Sequence, residues 1–324
     1  MLQFDVFNGD ADGLCALHQL RLVEPRDGAQ LVTGVKRDIE LLRRVPPVAL
    51  GHVTVLDVSL ARNRDALMQL LACGMTVDYF DHHFAGDIPS HAALTVHIDG
   101  AADVCTSMLV DRHIGGRHRA WAVVGAFGDN MGDAARTLAQ TLALPGSALE
   151  ALRELGECLN YNAYGDNEAD LFMPPAQLAR QLRRYPDPWR FLAAEPVLAT
   201  IRKGRARDME LAGRIRPYAR CAGGLVYLLP DAPWSRRVRG VWANQLAQSA
   251  PDQAHALLTP VDGEAFVVSV RAPQRRPRGA DRLCRAFPGG GGRSAAAGID
   301  RLARGRLADF VAAFGQVFGG GAAP

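Results

Sequence analysis

The sequence predicts an α/β protein, in which a doubly wound, mainly parallel sheet domain is followed by a smaller mixed α/β domain, with the active site in the cleft between them. In the first half, short apolar runs alternate with segments of helical periodicity, the pattern of parallel strands joined by crossover helices. A length of 324 residues fits two domains better than one. A stretch rich in Pro and Arg, residues 172–190, precedes a second set of apolar runs. We therefore expect a first domain at 1–185, a linker region at 186–210 and a second domain at 211–324.

The elements of the first half follow in order along the chain. Candidate strands lie at 2–7, 29–35, 52–58, 75–80 and 94–99. Apolar residues at helical spacing predict helices at 13–23 and 60–74, and the stretch 104–161 is predicted to be helical. In a sheet of this kind, ligands bind beyond the carboxyl ends of the strands.

The second half has the same kinds of element in a smaller number. Three candidate strands lie at 223–230, 254–261 and 264–272. Two helices are predicted, around 234–249 and 305–318. This is the pattern of a mixed α/β domain.

Composition excludes several classes of protein. Hydrophobic residues make up 48% of the chain and charged residues 22%, which is the balance of a globular protein. The six cysteines contain no CxxC pair, so a zinc site or a disulfide framework is not expected, and we predict buried thiols in a reducing compartment. The first residues carry no basic n-region, and no apolar run has the length of a membrane span. We expect a cytoplasmic protein without a membrane partner.

The small net charge of +3 conceals an asymmetry between the halves. Residues 200–324 hold 20 of the 37 Lys and Arg but 9 of the 34 Asp and Glu, which leaves this part at +11 and residues 1–199 at −8. An acidic half next to an arginine-rich half suits a metal site that faces a polyanion. The alternative is a solvated arginine-rich surface, since lysine occurs only at Lys36 and Lys203.

Acidic residues and histidines follow the predicted strands of the first half. Asp10 and Asp12 follow the first strand, Asp57 ends the third, and a DHH triplet ends the fourth. A further acid, Asp129, ends an apolar helical run. One such Asp alone is more often a turn former or a helix cap than a ligand. Packed together, however, these carboxylates would repel one another unless cations neutralised them, and oxygen ligands with one imidazole favour manganese or magnesium.

These residues resemble the motifs of the DHH phosphoesterases. Four motifs occur in the family's order, NGDADG at 8–13, LDVS at 56–59, DYFDHH at 78–83 and FGDN at 127–130. The resemblance implies two divalent metal ions, for which manganese is the expectation and magnesium the alternative. By this resemblance one ion is bound by Asp10, the other by Asp12, His82 and Asp129, and Asp57 bridges the two.

The resemblance also implies catalytic roles and shows one departure. His83 is expected to contact the scissile phosphate, and Asp81 to orient the histidine pair. Several branches of the family have a metal-binding histidine four residues before the first Asp, where this chain has Val6. The RecJ-like branch lacks it too. The change makes one metal site weaker or more open and leaves Asn8 as a polar substitute and a predicted substrate contact.

The glycine run at 287–299 is the strongest local signal in the second half. Consecutive glycines let backbone N–H groups approach a phosphate, although a flexible surface loop has the same composition. The run resembles the GGGHxxAAG motif of the DHH-associated C-terminal domain, with Arg293 in place of the histidine and Ala272 in place of a polar residue. The predicted substrate-binding residues of this half are Arg271, Gly290, Gly291, Gly292, Arg293 and Ser294.

These observations predict a manganese-dependent phosphodiesterase or exonuclease that hydrolyses short oligonucleotides or dinucleotides with a metal-activated water. An inorganic pyrophosphatase or nucleotide phosphatase of the same superfamily is one alternative. A weakened, nucleotide-binding protein without catalysis is another, because Val6 and Arg293 both depart from the usual motifs. The sequence predicts no oligomeric state, and it does not distinguish RNA, DNA and cyclic dinucleotides.

Overall fold

A computed structural model describes residues 1–320, and these form two compact units, one of residues 1–203 and one that begins at residue 204. The boundary falls inside the range 186–210 that the sequence gives as a linker region. That range is helical for most of its length. It contains helix α8 (Pro188–Ala194) and much of helix α9 (Val197–Gly213), which runs across the boundary.

The first unit is built on a parallel five-stranded sheet. Its strands are β1 (Gln3–Phe7), β2 (Gln30–Val32), β3 (His52–Leu56), β4 (Thr76–Asp81) and β5 (Leu94–Ile98). They lie in the order β2-β1-β3-β4-β5, and every neighbouring pair is parallel. The predicted parallel sheet is confirmed, although the second strand is shorter than the predicted 29–35.

The helices that precede α8 in this unit follow the predicted pattern. They are α1 (Ala11–Val23), α2 (Leu60–Ala72), α3 (Thr106–His113), α4 (Arg119–Gly128), α5 (Gly132–Ala139), α6 (Gly146–Asn162) and α7 (Pro175–Leu182). The helical character of 104–161 is confirmed.

Alternate residues of β1 and β3 show that helices cover both faces of the sheet. On one face, Val6 and Val55 belong to a buried apolar cluster with Leu67 of α2. On the other face, Arg21 of α1 donates to Asp5 Oδ1 at 2.6 Å, and it also donates to Thr54. Because successive side chains of a strand point to opposite faces, α1 and α2 lie on opposite sides. The doubly wound architecture is therefore confirmed.

The second unit contains a mixed six-stranded sheet. Its strands are β6 (Ala219–Cys221), β7 (Gly224–Leu228), β8 (Ala254–Val261), β9 (Ala265–Arg271), β10 (Gly290–Gly292) and β11 (Ala296–Ala303). Only β7 and β8 pair in parallel, and the order is β10-β11-β9-β8-β7-β6. The helices are α10 (Pro233–Ser249), α11 (Ala280–Arg285) and α12 (Leu307–Gly319). The three predicted strands and both predicted helices are present.

The predictions about the cysteines and about membrane-spanning segments can be compared with the structure. Cysteines at 15, 105, 158 and 284 are buried, but Cys73 is exposed and Cys221 is half-buried, so the prediction of buried thiols is wrong at these two positions. Both lie where an element ends, Cys73 after α2 and Cys221 in the edge strand β6. In the part of the chain that the structure describes, no helix is long and apolar enough to span a membrane.

Candidate metal centre

The predicted acidic residues of the first unit meet at the carboxyl ends of β1, β3 and β4. The strand order places β2 and β3 on either side of β1, so the chain leaves β1 and β3 toward opposite faces of the sheet. Such a switch in direction opens a crevice at the strand ends, where ligands of open α/β sheets bind. We call Asp10, Asp12, Asp57 and Asp129 the acid cluster.

Asp10 begins helix α1 and is held by backbone N–H groups. Its Oδ1 accepts from the N–H groups of Asp12 at 3.0 Å and Gly13 at 3.1 Å, and its own N–H donates to Asn8 Oδ1 at 3.1 Å. A side chain at Gly13 would meet the carbonyl oxygen of Asn8 at 2.2 Å, so the turn requires a glycine there. The NGDADG motif therefore forms a helix cap as well as a ligand loop.

Asp12 is fully buried and points at the start of helix α3. Its Oδ2 accepts from the N–H of Thr106 at 2.7 Å and its Oδ1 from the N–H of Ser107 at 2.8 Å. The unpaired N–H groups of a helix start favour a negative charge, so α3 both orients and stabilises this carboxylate. Each oxygen keeps a lone pair for a cation.

Asp57 follows β3 with a backbone φ of +60°, a region that residues other than glycine rarely adopt. Its N–H donates to the carbonyl oxygen of Phe80, and its Oδ1 accepts from the hydroxyl of Thr106 at 3.2 Å. Burial and the neighbouring carboxylates of Asp10 and Asp12 raise the pKa of Asp57 well above its ordinary value. A carboxylate in such surroundings keeps its charge only if a cation lies close to it.

His82 directs one ring nitrogen to the acid cluster. Its Nδ1 lies 2.9 Å from the carbonyl oxygen of Val104, and because a carbonyl only accepts, Nδ1 carries the hydrogen. This leaves the lone pair of Nε2, which lies 3.5 Å from Asp57 Oδ1 and 3.6 Å from Asp129 Oδ2. A histidine that donates to a carbonyl through one nitrogen and offers the other is arranged as metal-binding histidines usually are.

His83 and Asp81 form a separate pair beside the acid cluster. His83 Nδ1 lies 2.8 Å from Asp81 Oδ1, and this hydrogen bond raises the pKa of His83. Asp81 is fully buried, whereas the His83 side chain is 47% exposed. Asp81 is predicted to orient both histidines, and it contacts His83, whereas His82 is held by the carbonyl oxygen of Val104. The His83 side chain faces solvent at the site.

Asp129 ends helix α4 and is followed by a turn at Asn130, where φ is +64°. Burial raises the pKa of Asp129 to about 6, against the lowering effect of the Lys36 ammonium. Two sets of side chains meet here, and within each set the ligand atoms lie within 4.8 Å of one another. One set is Asp12, His82 and Asp129, and the other is Asp57, His82 and His83.

The set of Asp12, His82 and Asp129 fits a divalent cation. The second set has two imidazoles and shares His82, whose one available ring nitrogen can bind a single ion. Ligand atoms at such separations can share one ion, since oxygen ligands lie about 2.0–2.6 Å from Mg²⁺ or Ca²⁺. Carboxylate oxygens with one imidazole are ligands that Mn²⁺ and Mg²⁺ accept. Among the described residues, Asp10 belongs to neither set, and its Oδ2 accepts from Lys36 Nζ at 2.5 Å.

Sequence reasoning missed Lys36 and Thr106 as parts of this site. Lys36 follows β2, and Nζ donates to Asp10, Asp129 and Asn160. Lysine is rare in this chain, which has only one other, but rarity alone does not indicate a site. Thr106 lacked any motif, and its role depends on where α3 begins.

The site opens into a cavity of about 430 Å³. Its lining includes Asn8, Asp10, Asp57, Asp129 and His83. The lining also includes Ile39, Arg62 and Phe84, and Phe84 is 83% exposed. Exposed aromatic and cationic side chains next to an acidic centre provide surfaces for a base and a phosphate.

The predicted substrate residues of the second unit, apart from Arg271, lie on one hairpin. Gly290–Gly292 form β10, which pairs with β11, and we call 290–303 the glycine hairpin. A side chain at Gly290 would meet the carbonyl oxygen of Cys284 at 1.8 Å. The glycines thus form an edge strand rather than a flexible loop.

The polar residues of this region lie around the same turn. Arg293 is exposed at the turn between β10 and β11, and Ser294 donates to Asp281 Oδ1 at 3.3 Å. Arg271 ends β9 opposite Ala296 of β11, and its Nε donates to Asn244 Oδ1 at 2.7 Å.

A cavity of about 460 Å³ adjoins the glycine hairpin. Ser294 lines it together with Arg276, Arg278 and Arg282. Three guanidinium groups around one cavity favour an anionic ligand.

No protein-family model and no curated protein matches the chain. Solved structures do match it in fold. A crystal structure of exonuclease RecJ bound to manganese has a TM-score of 0.55 and 18% identity, and the match covers 97% of this chain and 89% of that chain. RecJ in complex with Mn²⁺ from Thermus thermophilus has the same TM-score and identity, but the match covers 51% of that longer chain.

A third structure is similar in length to this chain. It is the pGpG-specific phosphodiesterase PggH from Vibrio cholerae, with a TM-score of 0.53 and 16% identity over 98% of this chain and 99% of that chain. At these identities the likeness establishes the fold. The predicted RecJ-like fold is confirmed at this level.

Proposed function

We propose that the chain is a hydrolase of phosphate ester bonds, a divalent-metal-dependent phosphodiesterase or exonuclease that acts on short oligonucleotides or dinucleotides. The observation that carries the proposal is the meeting of Asp12, His82 and Asp129 within 4.8 Å of one another, with Asp57 beside them. The fold neighbours support it, since they include an exonuclease bound to manganese and a pGpG phosphodiesterase. Manganese is the proposed ion and magnesium the alternative. We place the activity in the cytoplasm.

The residues of the first unit would hold a divalent ion on hard oxygen ligands and one imidazole. When bound, such an ion lowers the pKa of water and withdraws charge from a phosphate oxygen. Helix α3 holds Asp12, and the Val104 carbonyl fixes the ring of His82, so little reorganisation of the ligands is needed.

His83 is proposed to act on the substrate itself. Its hydrogen bond to Asp81 raises the pKa of the imidazole, which therefore stays protonated to higher pH. With Nδ1 held by Asp81, Nε2–H can donate to an oxygen of the scissile phosphate. Asp81 acts through His83, because it is fully buried and has no access to substrate.

The nucleotide character of the substrate is proposed from the cavity and the second unit. Phe84 offers an exposed ring on which a base can stack, and Arg62 a charge for a phosphate. Asn8 lines the same cavity and keeps its predicted role as a substrate contact. In the second unit, Arg271, the three hairpin glycines, Arg293 and Ser294 are proposed to bind substrate phosphates.

A hydrolysis panel with added Mn²⁺ tests the proposal and separates its rivals. The panel contains two- to twenty-residue RNA and DNA, cyclic dinucleotides, pAp and pyrophosphate, with Asp12→Asn as the inactive control. We expect hydrolysis of dinucleotides or short oligomers. Hydrolysis of pyrophosphate alone would favour the pyrophosphatase alternative. Nucleotide binding without any turnover would favour a non-catalytic protein.

A further inference from the structure

Lys36 occupies a position at which a cation is expected. Its ammonium group lies 2.5 Å from Asp10 Oδ2, 3.2 Å from Asp129 Oδ1 and 3.1 Å from Asn160 Oδ1. An ammonium has three N–H donors, and all three are used. Asp10 and Asp129 are two of the acids to which the sequence assigns metal ions, so Lys36 joins two predicted ligands.

The surroundings of Lys36 hold it in this place. Its backbone N–H donates to the carbonyl oxygen of Ala163, and its carbonyl oxygen accepts from Asn8 Nδ2 at 3.2 Å. The amide of Asn160 is fixed in turn, since its Nδ2 donates to the hydroxyl of Tyr164 at 2.8 Å. These contacts reach the lysine from the loop after β1 and from the end of α6.

The Asp10 side of the acid cluster has few other ligands for a metal ion. Val6, at the position where several DHH branches have a histidine, is fully buried in the apolar cluster with Phe4 and Val55. Asn8 is engaged with the backbone of Lys36 and Asp10. By contrast, Asp12, His82 and Asp129 place three ligand atoms within 4.8 Å of one another, and the other set, Asp57, His82 and His83, shares the same His82 ring.

We propose that the Lys36 ammonium takes the place of one of the two ions that the sequence predicts. The cluster then holds a single tightly bound divalent ion on Asp12, His82 and Asp129, with Asp57 beside it, and Lys36 neutralises Asp10. The inference rests on the proposed function only in taking the acid cluster to be a metal site. A second ion on Asp10 would compete with Lys36 for Oδ2, because Oδ1 already accepts from two backbone N–H groups. Asp129, by contrast, accepts from Lys36 through Oδ1 and keeps Oδ2 on the side of His82.

Counting Mn²⁺ ions tests this directly. Equilibrium dialysis gives the number bound, and electron paramagnetic resonance distinguishes an isolated Mn²⁺ from two spin-coupled ions a few ångström apart. We compare the wild type with Lys36→Met, and with Lys203→Met as the matched control, because Lys203 is exposed and is the only other lysine. Circular dichroism establishes that each variant is folded.

We expect one tightly bound, isolated Mn²⁺ in the wild type and in Lys203→Met. Lys36→Met should bind a second, spin-coupled ion at least about tenfold more tightly than the wild type does. Two ions of similar affinity in the wild type, or a folded Lys36→Met that still binds one, would overturn the inference. If Lys36→Met does not fold, the number of Mn²⁺ ions bound by the wild type decides alone. Two equivalent ions would leave the proposed hydrolase intact, whereas absence of any bound ion would refute both proposals.

Discussion

The acid cluster of the first unit and the glycine hairpin of the second unit hold their charged side chains in opposite ways. Asp12 is fully buried, and both of its oxygens are fixed by backbone N–H groups of α3. Arg293 is exposed at the tip of a tight turn between two strands. In the acid cluster the charges are fixed in position before a ligand binds. In the glycine hairpin the long arginine side chain can adapt its position to a ligand.

This contrast indicates a division of labour. A preorganised, buried site suits the chemical step, because its groups need not reorganise in the transition state. An exposed arginine suits binding, because its planar fork can follow a phosphate. Changes in the acid cluster should therefore alter rate and stability together, whereas changes in the hairpin should alter substrate affinity alone.

The largest effect is expected for Asp57→Asn. We expect kcat to fall at least about a thousandfold, since the carboxylate beside the ion is lost. The Tm of the metal-free protein should rise, because the raised pKa of Asp57 means that its charge destabilises the folded state at pH 7. Exposed Asp65 offers the matched control Asp65→Asn, which should change neither value. Wild-type activity and metal content in Asp57→Asn would show that Asp57 is not a ligand.

Arg293→Ala should affect binding and leave the chemistry unchanged. Loss of one charge-assisted contact to a phosphate should raise KM for a dinucleotide about ten- to a hundredfold. The small reporter bis-p-nitrophenyl phosphate, which has no second nucleotide to bind, should keep its kinetic constants. Arg216→Ala, at another exposed arginine of the same unit, is the control. Equal losses of activity on both substrates would mean that Arg293 supports the fold. Unchanged kinetic constants on both would indicate that the glycine hairpin is a surface structure without a role in binding.

Phe84→Ala tests whether the first unit also binds part of the nucleotide. Removal of the exposed ring should raise KM for a dinucleotide about tenfold through lost base stacking, with kcat nearly unchanged. Met68→Ala, an exposed apolar residue on α2, controls for loss of surface area. A fall in kcat with unchanged KM would instead place Phe84 in support of its neighbour His83.

The smallest effect concerns pH and metal binding. The folded pKa of Asp129, about 6, lies above its unfolded value, so in the metal-free protein this group favours folding below about pH 4 and loses that contribution as pH rises through about 6. An ion must displace the proton, and the stabilisation that Mn²⁺ provides should therefore grow with pH. We expect Mn²⁺ to raise the Tm by a few degrees more at pH 7.5 than at pH 5. An equal increase at both pH values would contradict a role for Asp129 as a ligand.

The parallel sheet and the acid cluster could be predicted because both leave local patterns. Apolar runs mark β1, β3 and β4, and each of these strands ends at or just before a motif residue of the site. Parallel strands bring their carboxyl ends together, so Asp10, Asp57 and His82 had to lie near one another.

Lys36 could not be predicted, because its role depends on three acceptors far away in the sequence. Asp129 and Asn160 follow it by 93 and 124 residues. The glycine strand β10 was missed for a similar reason, since three glycines have no strand propensity and extend only by pairing with β11. Thr106 gave no signal, because its hydroxyl reaches Asp57 only once α3 packs against the loop after β3.

The central claim is that a divalent ion on the acid cluster carries out hydrolysis, and removal and return of that ion test it most directly. The protein is dialysed extensively against EDTA, and its phosphodiesterase rate is measured as Mn²⁺ is added back. We predict no activity in EDTA and a rate that rises in proportion to the Mn²⁺ bound, with His82→Asn failing to recover. Full activity in EDTA, or recovery of His82→Asn to the wild-type rate, would contradict the account.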